Sequence, residues 1–420
     1  MRSVATGLDP VLADRLRAGL EEARLDGLLI VAESSVDPDL APLLGSAHLG
    51  ACFLIVPRNG VPTLGFLTDM EREEAGSTGL DLLTPEELEV GQLRAAGVEP
   101  GEFWRSILEV ALRRLDMSPG KVAIAGHPAL GTIVEACNGL SEVGWRWKSG
   151  AEILRSWRKF KPDGWRDRID PPAAAVCSAM WGIARLLAAA EPGPEGLVAG
   201  GTPLSIGRLR EVVQRECSRF ALTEPEGNIM AAGAVGGVPH SRGDSGHVLA
   251  FGEPLVVDLF PRGEIFADCT RTFCVGEPPA GFTAAYAQVR AALEQAHALA
   301  RPGIRAWDLQ VATCDLFESA GYPTLRSHPN TQVGYVHGLG HGVGYELHEY
   351  PNFRETAGDE GVLEVGDLFT LEPGLYDAES GYGVRLEDLC FLGAEGLENL
   401  TPLPLDWDPK LWAQGASAWP

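Results

Sequence analysis

Apolar positions along the first part of the chain switch between two periods. Val11, Leu12, Leu16, Leu20 and Ala23 recur at helical spacing, and the continuous run Leu28-Leu29-Ile30-Val31 after them suits a buried strand. Cys52-Phe53-Leu54-Ile55-Val56 ends at Pro57-Arg58-Asn59-Gly60, a strand closed by a turn. Residues 103–115 return to helical spacing, residues 122–125 form another strand-like run, and a further helical stretch starts at Ile153. The alternation predicts an α/β unit, and no cluster of chemically active side chains falls inside it.

This pattern breaks at Lys159-Phe160-Lys161-Pro162-Asp163-Gly164, where Pro and Gly end the helical spacing. A domain boundary is predicted there, giving units 1–162 and 163–420. Helices are predicted over 173–190 and 204–220, with the Pro- and Gly-rich stretch 191–203 between them. A second helical pair, 282–300 and 306–320, separates two strand-rich blocks.

Composition narrows the class. A chain of 420 residues that is 45% apolar and 22% charged can bury two cores. The formal net charge of −24 argues against a nucleic-acid partner, whose phosphates attract clustered Lys and Arg. No secretory signal is read in the first twenty residues, and no apolar stretch reaches the length of a membrane span. The eight cysteines lack the close pairing of a zinc ribbon or disulfide framework, which points to a reduced, cytoplasmic setting.

Candidate chemistry is confined to the second unit. Three of the nine histidines, His337, His341 and His348, lie in His-Gly-Leu-Gly-His-Gly-Val-Gly-Tyr-Glu-Leu-His-Glu. Four alternating glycines would cost a helix about 1 kcal/mol each, so extended or turning backbone is expected. Such a run suits metal binding or proton transfer, or a glycine-rich loop whose histidines only hydrogen-bond. Residues 255–272 read as a hairpin with Asp258 on one arm and Asp268 on the other. An Asp within Leu-Val-Val-Asp is costly to bury unless it is paired, hydrogen-bonded or metal-bound. Phe369-Thr370-Leu371-Glu372-Pro373-Gly374 and Gly383-Val384-Arg385-Leu386-Glu387-Asp388 each set a further acid in an apolar strand. Four such acids and an imidazole suit a pair of hard-to-borderline divalent ions.

These motifs, in this order over most of residues 166–405, resemble the pita-bread metallopeptidases, specifically the branch of Xaa-Pro aminopeptidases, prolidases and creatinases with an amino-terminal domain. The resemblance implies an α/β creatinase/prolidase-like domain followed by an α+β catalytic domain, a duplicated antiparallel sheet flanked by helices. It implies two divalent ions, manganese first with cobalt, zinc or iron as alternatives, held by Asp258, Asp268, His341, Glu372 and Glu387. It further implies hydrolysis of Xaa-Pro bonds in small peptides through a metal-bridging hydroxide, with Glu372 as general base. His240, His337 and His348 would face the substrate, and a homodimer is expected. The Asp258 to Asp268 spacing is one residue shorter than in most relatives, and Phe260 stands where they carry glycine, so the pocket wall near Phe260 is expected to differ.

Which end of the peptide is attacked stays open at this level. Arg354 and Arg385 are the candidates for a substrate carboxylate, which arginine matches geometrically. A carboxypeptidase using such an arginine is the alternative reading. A creatinase-like C–N hydrolase and a non-catalytic binding protein rank below it, because both go with an incomplete ligand set.

Overall fold

The computed structural model describes residues 10–414, and these divide into two compact units, Met1–Arg158 and Lys159–Pro420. The first carries a six-stranded mixed sheet in the order Asp81–Leu83, Thr63–Phe66, Cys52–Pro57, Gly27–Ala32, Lys121–Ala125, Arg146–Ser149. Every residue of Gly27–Ala32 is buried, which explains why its sequence runs apolar without alternation. Helices Pro100–Arg114 and Leu130–Glu142 supply Ile107, Leu108, Leu112, Ile133 and Leu140 to the core around Leu29, Val31, Phe53 and Ile55.

The boundary falls four residues earlier than the sequence suggested. Lys159, Phe160 and Lys161 belong to the second unit because its acids and carbonyls satisfy them. Phe160 bridges to Asp367, Lys161 N donates to Gly366 O at 2.8 Å, and Lys159 Nζ lies 2.8 Å from Val362 O and 3.3 Å from Asp367.

The second unit repeats one plan: two helices, then antiparallel strands. Helices Arg166–Ala188 and Ile206–Arg219 precede a three-stranded sheet of Asn228–Ala232, Pro254–Leu259 and Cys269–Cys274. Helices Phe282–Leu299 and Ala306–Ser319 precede a five-stranded sheet ordered Glu349–Asn352, His341–Gly342, Leu368–Leu371, Asp388–Gly393, Gly396–Asn399, with the hairpin Gly374–Asp377/Tyr382–Arg385 beside it. This is the α+β duplication expected from the motifs.

Three local expectations change. The helix predicted over 173–190 begins at Arg166 and runs through Pro171 and Pro172, which remove two backbone donors without ending it because Ile169 and Pro172 are packed inside. Long and apolar enough by length and composition to cross a membrane, contrary to the reading of the sequence, it buries Ile169, Val176, Met180 and Ile183 as a core helix does. The stretch 191–203 is a small sheet and not a spacer. Gly200 and Gly201, at φ +60° and +79°, make the tight turn that pairs Ala199 with Thr202.

Candidate metal centre

The predicted hairpin forms, with Asp258 opposite Thr270 and Leu259 opposite Cys269. Asp268 stands two residues before Thr270, so period two turns both aspartates to the same face. The His337 to Glu349 run is irregular except at His341–Gly342 and at Glu349, which opens the strand Glu349–Asn352. A Cβ on Gly340 would lie 2.0 Å from Thr370 O, and one on Gly342 would lie 1.9 Å from Tyr350 O. Glycine there lets the run lie against Leu368–Leu371 and brings His341 next to Glu372.

The two sheets meet where Glu387 N donates to Thr270 O at 3.0 Å, and the acids converge at that seam. Asp268, His341 and Glu387 each bring a ligand atom within 4.8 Å of the other two. His341 Nε2 lies 3.7 Å from Asp268 Oδ2 and 3.5 Å from Glu372 Oε1. Its Nδ1 is 3.0 Å from Gly342 O, so the proton sits on Nδ1 and the Nε2 lone pair faces the carboxylates. Asp258 joins through a side-chain contact with Asp268. All five expected ligands therefore share one pocket.

Two observations test whether this pocket fits divalent ions. Asp258 Oδ1 and Asp268 Oδ1 are buried and have no hydrogen-bond partner among the described residues, an arrangement that is costly unless a cation satisfies them. Burial, then repulsion from Glu387, Asp258 and Glu372, drives Asp268 well above the usual carboxylate range. Glu387 is raised likewise, by burial and then by Glu372. Burial and Asp258 push Glu372 up to about 8, against the pull of Arg385. Burial, reinforced by the neighbouring His348, holds His341 down at about 3, so it presents the neutral imidazole a ligand needs. Acids that repel one another around a neutral imidazole are the donor set of a hard or borderline divalent cation, and the residues fit it.

Arg385, expected at the substrate, is buried instead. Its Nη2 donates to Asp258 Oδ2 at 2.6 Å, Nη1 to Tyr376 Oη at 2.8 Å and Pro239 O at 3.2 Å, and Nε to Thr270 Oγ1 at 3.1 Å. The guanidinium is thus engaged by the Asp258 carboxylate and its neighbours, which leaves it unsuited to a substrate carboxylate. Thr270 in turn donates to Glu387 Oε2 at 2.6 Å. Phe260, expected in the pocket wall, is buried against Ile229, Ala231 and, within the histidine run, Leu347. Arg354 is exposed just past the edge strand Glu349–Asn352.

The accessory histidines divide by exposure. Tyr376 Oη, already accepting from Arg385, lies 2.8 Å from His337 Nε2, and His337 Nδ1 lies 2.7 Å from Gly338 O. The arrangement that satisfies all of these has Tyr376 donating to Nε2 and Nδ1 donating to Gly338, so His337 has no N–H left for an oxyanion. Burial, with help from Arg385 and His240, keeps it neutral at about 3. His348 is exposed, with its ring 4.3 Å from that of His341, and exposed His240 is close enough to lower the proton affinity of both His337 and His348.

Sequence reasoning missed several supports. Thr270 carried a readable signal, since it alternates with Thr272 along Cys269–Cys274 on the face of Asp258. Arg271 carried less: it spans the back of the seam, donating to Glu387 O at 2.6 Å and to Asp388 Oδ1 at 2.6 Å. The fully buried Lys161–Glu349 pair, at 3.1 Å, sits at the residue after His348 and joins positions 188 apart, which no local pattern reveals.

Comparison with known proteins agrees with this geometry. The sequence profile of metallopeptidase family M24 matches residues 187–394. An Xaa-Pro dipeptidase of Pyrococcus furiosus is 33% identical over 177 residues, 41% of this chain and 46% of that relative's length. A probable dipeptidase PepE of Mycobacterium bovis is 26% identical over 395 residues, 90% of this chain and 94% of its own. Among solved structures, the prolidase of Pyrococcus horikoshii superposes with a TM-score of 0.72 at 21% identity, covering 94% of this chain and 99% of that one. An X-Pro aminopeptidase of Thermotoga maritima gives 0.68 at 19%, covering 94% and 98%. These two likenesses are of fold.

Proposed function

The chain belongs to metallopeptidase family M24, and from that premise we propose that it is a dinuclear, divalent-metal-dependent exopeptidase acting on Xaa-Pro bonds of small peptides, as an aminopeptidase or a dipeptidase. The observation that carries the reading is the convergence of four carboxylates and one neutral imidazole, with Asp258 Oδ1 and Asp268 Oδ1 buried and without a hydrogen-bond partner among the described residues. Asp258, Asp268, His341, Glu372 and Glu387 would hold the ions, with manganese as the first choice of metal. When bound, such ions polarise a scissile carbonyl and lower the pKa of water.

The chain's own side chains supply the rest. Glu372 takes the proton from the attacking water and passes it to the leaving nitrogen, a task suited to a carboxylate whose proton affinity its surroundings have raised. His348 and His240, both exposed, meet the substrate and offer N–H donors to the developing oxyanion. His337 keeps one wall of the site neutral, and Arg385 offsets part of the acids' charge through Asp258. Arg354 is an exposed cation available to a substrate carboxylate. A homodimer in the cytoplasm, with its eight free thiols reduced, completes the proposal.

The test is manganese-loaded protein against Xaa-Pro dipeptides, longer peptides beginning Xaa-Pro, amino-terminally blocked peptides and creatine, with products identified by mass. Release of an amino-terminal residue from the Xaa-Pro substrates, abolished by chelation, is expected. Cleavage that persists after exhaustive chelation, or is confined to the carboxyl terminus of blocked peptides, would overturn the reading.

A further inference from the structure

Helix Ala306–Ser319 buries Ala306, Leu309, Gln310, Thr313, Cys314 and Phe317, an amphipathic stripe in which Gln310 is the one amide. Burying an amide without partners is unfavourable, so the destination of its hydrogen bonds matters. Gln310 Oε1 accepts from Leu339 N at 2.6 Å and from Tyr335 Oη at 3.1 Å, and Nε2 donates to Cys314 Sγ at 3.5 Å. One oxygen contact enters the histidine run at Leu339, and the other reaches Tyr335, two residues before it.

Leu339 is fully buried midway between His337 and His341, with glycine on either side. Its carbonyl accepts from Glu372 N at 2.7 Å, so one residue, through the peptide groups on its two sides, ties Gln310 and the histidine run to the strand that delivers Glu372. Leu339 lies outside the regular ladder, and Gln310 takes the place of a neighbouring strand at its N–H. The second contact works through Tyr335, whose ring packs edge-on against His337 with centroids 5.4 Å apart. Gln310 therefore touches neither ligand nor substrate, yet it fixes the peptide between two histidines and the ring beside one of them.

We propose that Gln310 is a positioning residue that sets His337, His341 and Glu372 relative to one another through the Leu339 peptide and the Tyr335 hydroxyl. The inference rests on the reading of this site as the peptidase centre. Glycine-flanked backbone has little stiffness of its own, so its placement depends on such an anchor. Displacing reactive groups by about 1 Å can cost roughly 100-fold in rate.

The experiment compares Gln310→Met, which keeps the shape and removes the acceptor, with Gln310→Glu, which keeps an acceptor for both donors. Hydrogen exchange over residues 336–342, manganese titration of the metal-free protein, kcat and KM, and thermal midpoint are measured on each. For Gln310→Met, exchange about 10- to 100-fold faster is expected from the lost buried hydrogen bonds. Manganese affinity should fall about 10-fold, and kcat should fall with KM within about 3-fold. Gln310→Glu should recover exchange and kcat to within about 3-fold of the parent. A lowered midpoint with exchange, affinity and kcat unmoved would reduce Gln310 to a packing residue, and failure of Gln310→Glu to recover them would overturn the proposal. Should Gln310→Met not fold, Tyr335→Phe breaks only the second contact. It is expected to speed exchange about 3-fold, and unchanged exchange would count against the anchor. If the parent chain cleaves no peptide, the functional reading fails, while exchange and manganese affinity still decide the role of Gln310.

Discussion

The metal-free protein should lose stability as pH rises from 6.5 to 8, an unusual direction for a chain rich in carboxylates. Glu372 moves from 4.5 to about 8 in the folded state because burial and Asp258 oppose its charge. Between those values the folded state holds a proton that the unfolded state has released, so unfolding becomes more favourable with each unit of pH, by about 1.36 kcal/mol. Below pH 6.5 an opposing effect intrudes. His337 and His341 fall from 6.5 to about 3, so the unfolded chain binds the extra protons there and stability rises with pH. Glu318, lowered to about 2, has finished titrating by pH 6.5, while Asp367, raised to about 6, is about three-quarters ionised there and adds a small loss of the same sign. Thiols such as Cys52 and Cys177, pushed up to about 12 from 9, contribute only above about pH 8. The acid cluster therefore dominates the window from 6.5 to 8, where the unfolded chain's two histidines, half protonated at 6.5, return only about 0.4 kcal/mol each. Glu372 alone gives about 2 kcal/mol over that span, and Asp268 and Glu387, raised by the same causes, act in the same direction. The assay is urea denaturation in chelator at pH 6.5, 7.25 and 8, repeated with excess manganese, where the slope should vanish or reverse because ligation requires the ionised acids. Chelated protein as stable at pH 8 as at 6.5 would refute the argument that these acids repel one another in the fold.

Glu372→Gln should lower kcat at least about 100-fold and flatten the stability slope of the chelated protein between pH 6.5 and 8; steady-state kinetics and the same denaturation series check both. His341→Ala should leave the protein folded with less bound metal at pH 7.5, read by elemental analysis after desalting. Arg385→Met should cost about 3–5 kcal/mol of folding stability by stranding Asp258, and Asp258→Asn should recover part of that loss in the double variant. A rise in KM alone, with the denaturation midpoint unchanged, would return Arg385 to the substrate.

Much of this site was legible because strands report their faces. Asp258, Asp268, Glu372 and Glu387 each interrupt an apolar run, and an acid at such a position demands a partner that the local sequence does not contain. Spacing alone could also say that the histidine run is not helical, since four glycines forbid it. The elements came through at the level of type, while ends moved where tertiary contacts outweighed local signals. The helix predicted from 173 begins at Arg166, with Pro171 and Pro172 inside it and Ile169 packed in the core, and the Lys159 to Lys161 segment, expected at the end of the first unit, is drawn into the second by Asp367 and Glu349.

Arg385 shows where face logic runs out. Period two correctly puts it on the face of Glu387, and a cation beside metal ligands then has two possible partners, the substrate or another ligand. What decides is the register between strands distant in sequence: Thr272 Oγ1 accepts from Arg385 N at 3.0 Å and donates to Arg385 O at 2.9 Å, which sets the guanidinium against Asp258, 127 positions away. That placement has an electrostatic consequence. Four acids in one pocket repel one another strongly at low dielectric, and a permanent cation bonded to Asp258 from behind offsets one charge without occupying the side on which the ligand oxygens converge. Asp258 Oδ2 goes to Arg385 and Oδ1 stays free, so the pair both lowers the cost of assembling the cluster and directs the remaining oxygen inward. A substrate-binding role would have left Asp258 uncompensated, and the fold would then have had to hold all four acids together with no buried cation beside Asp258 until metal arrived.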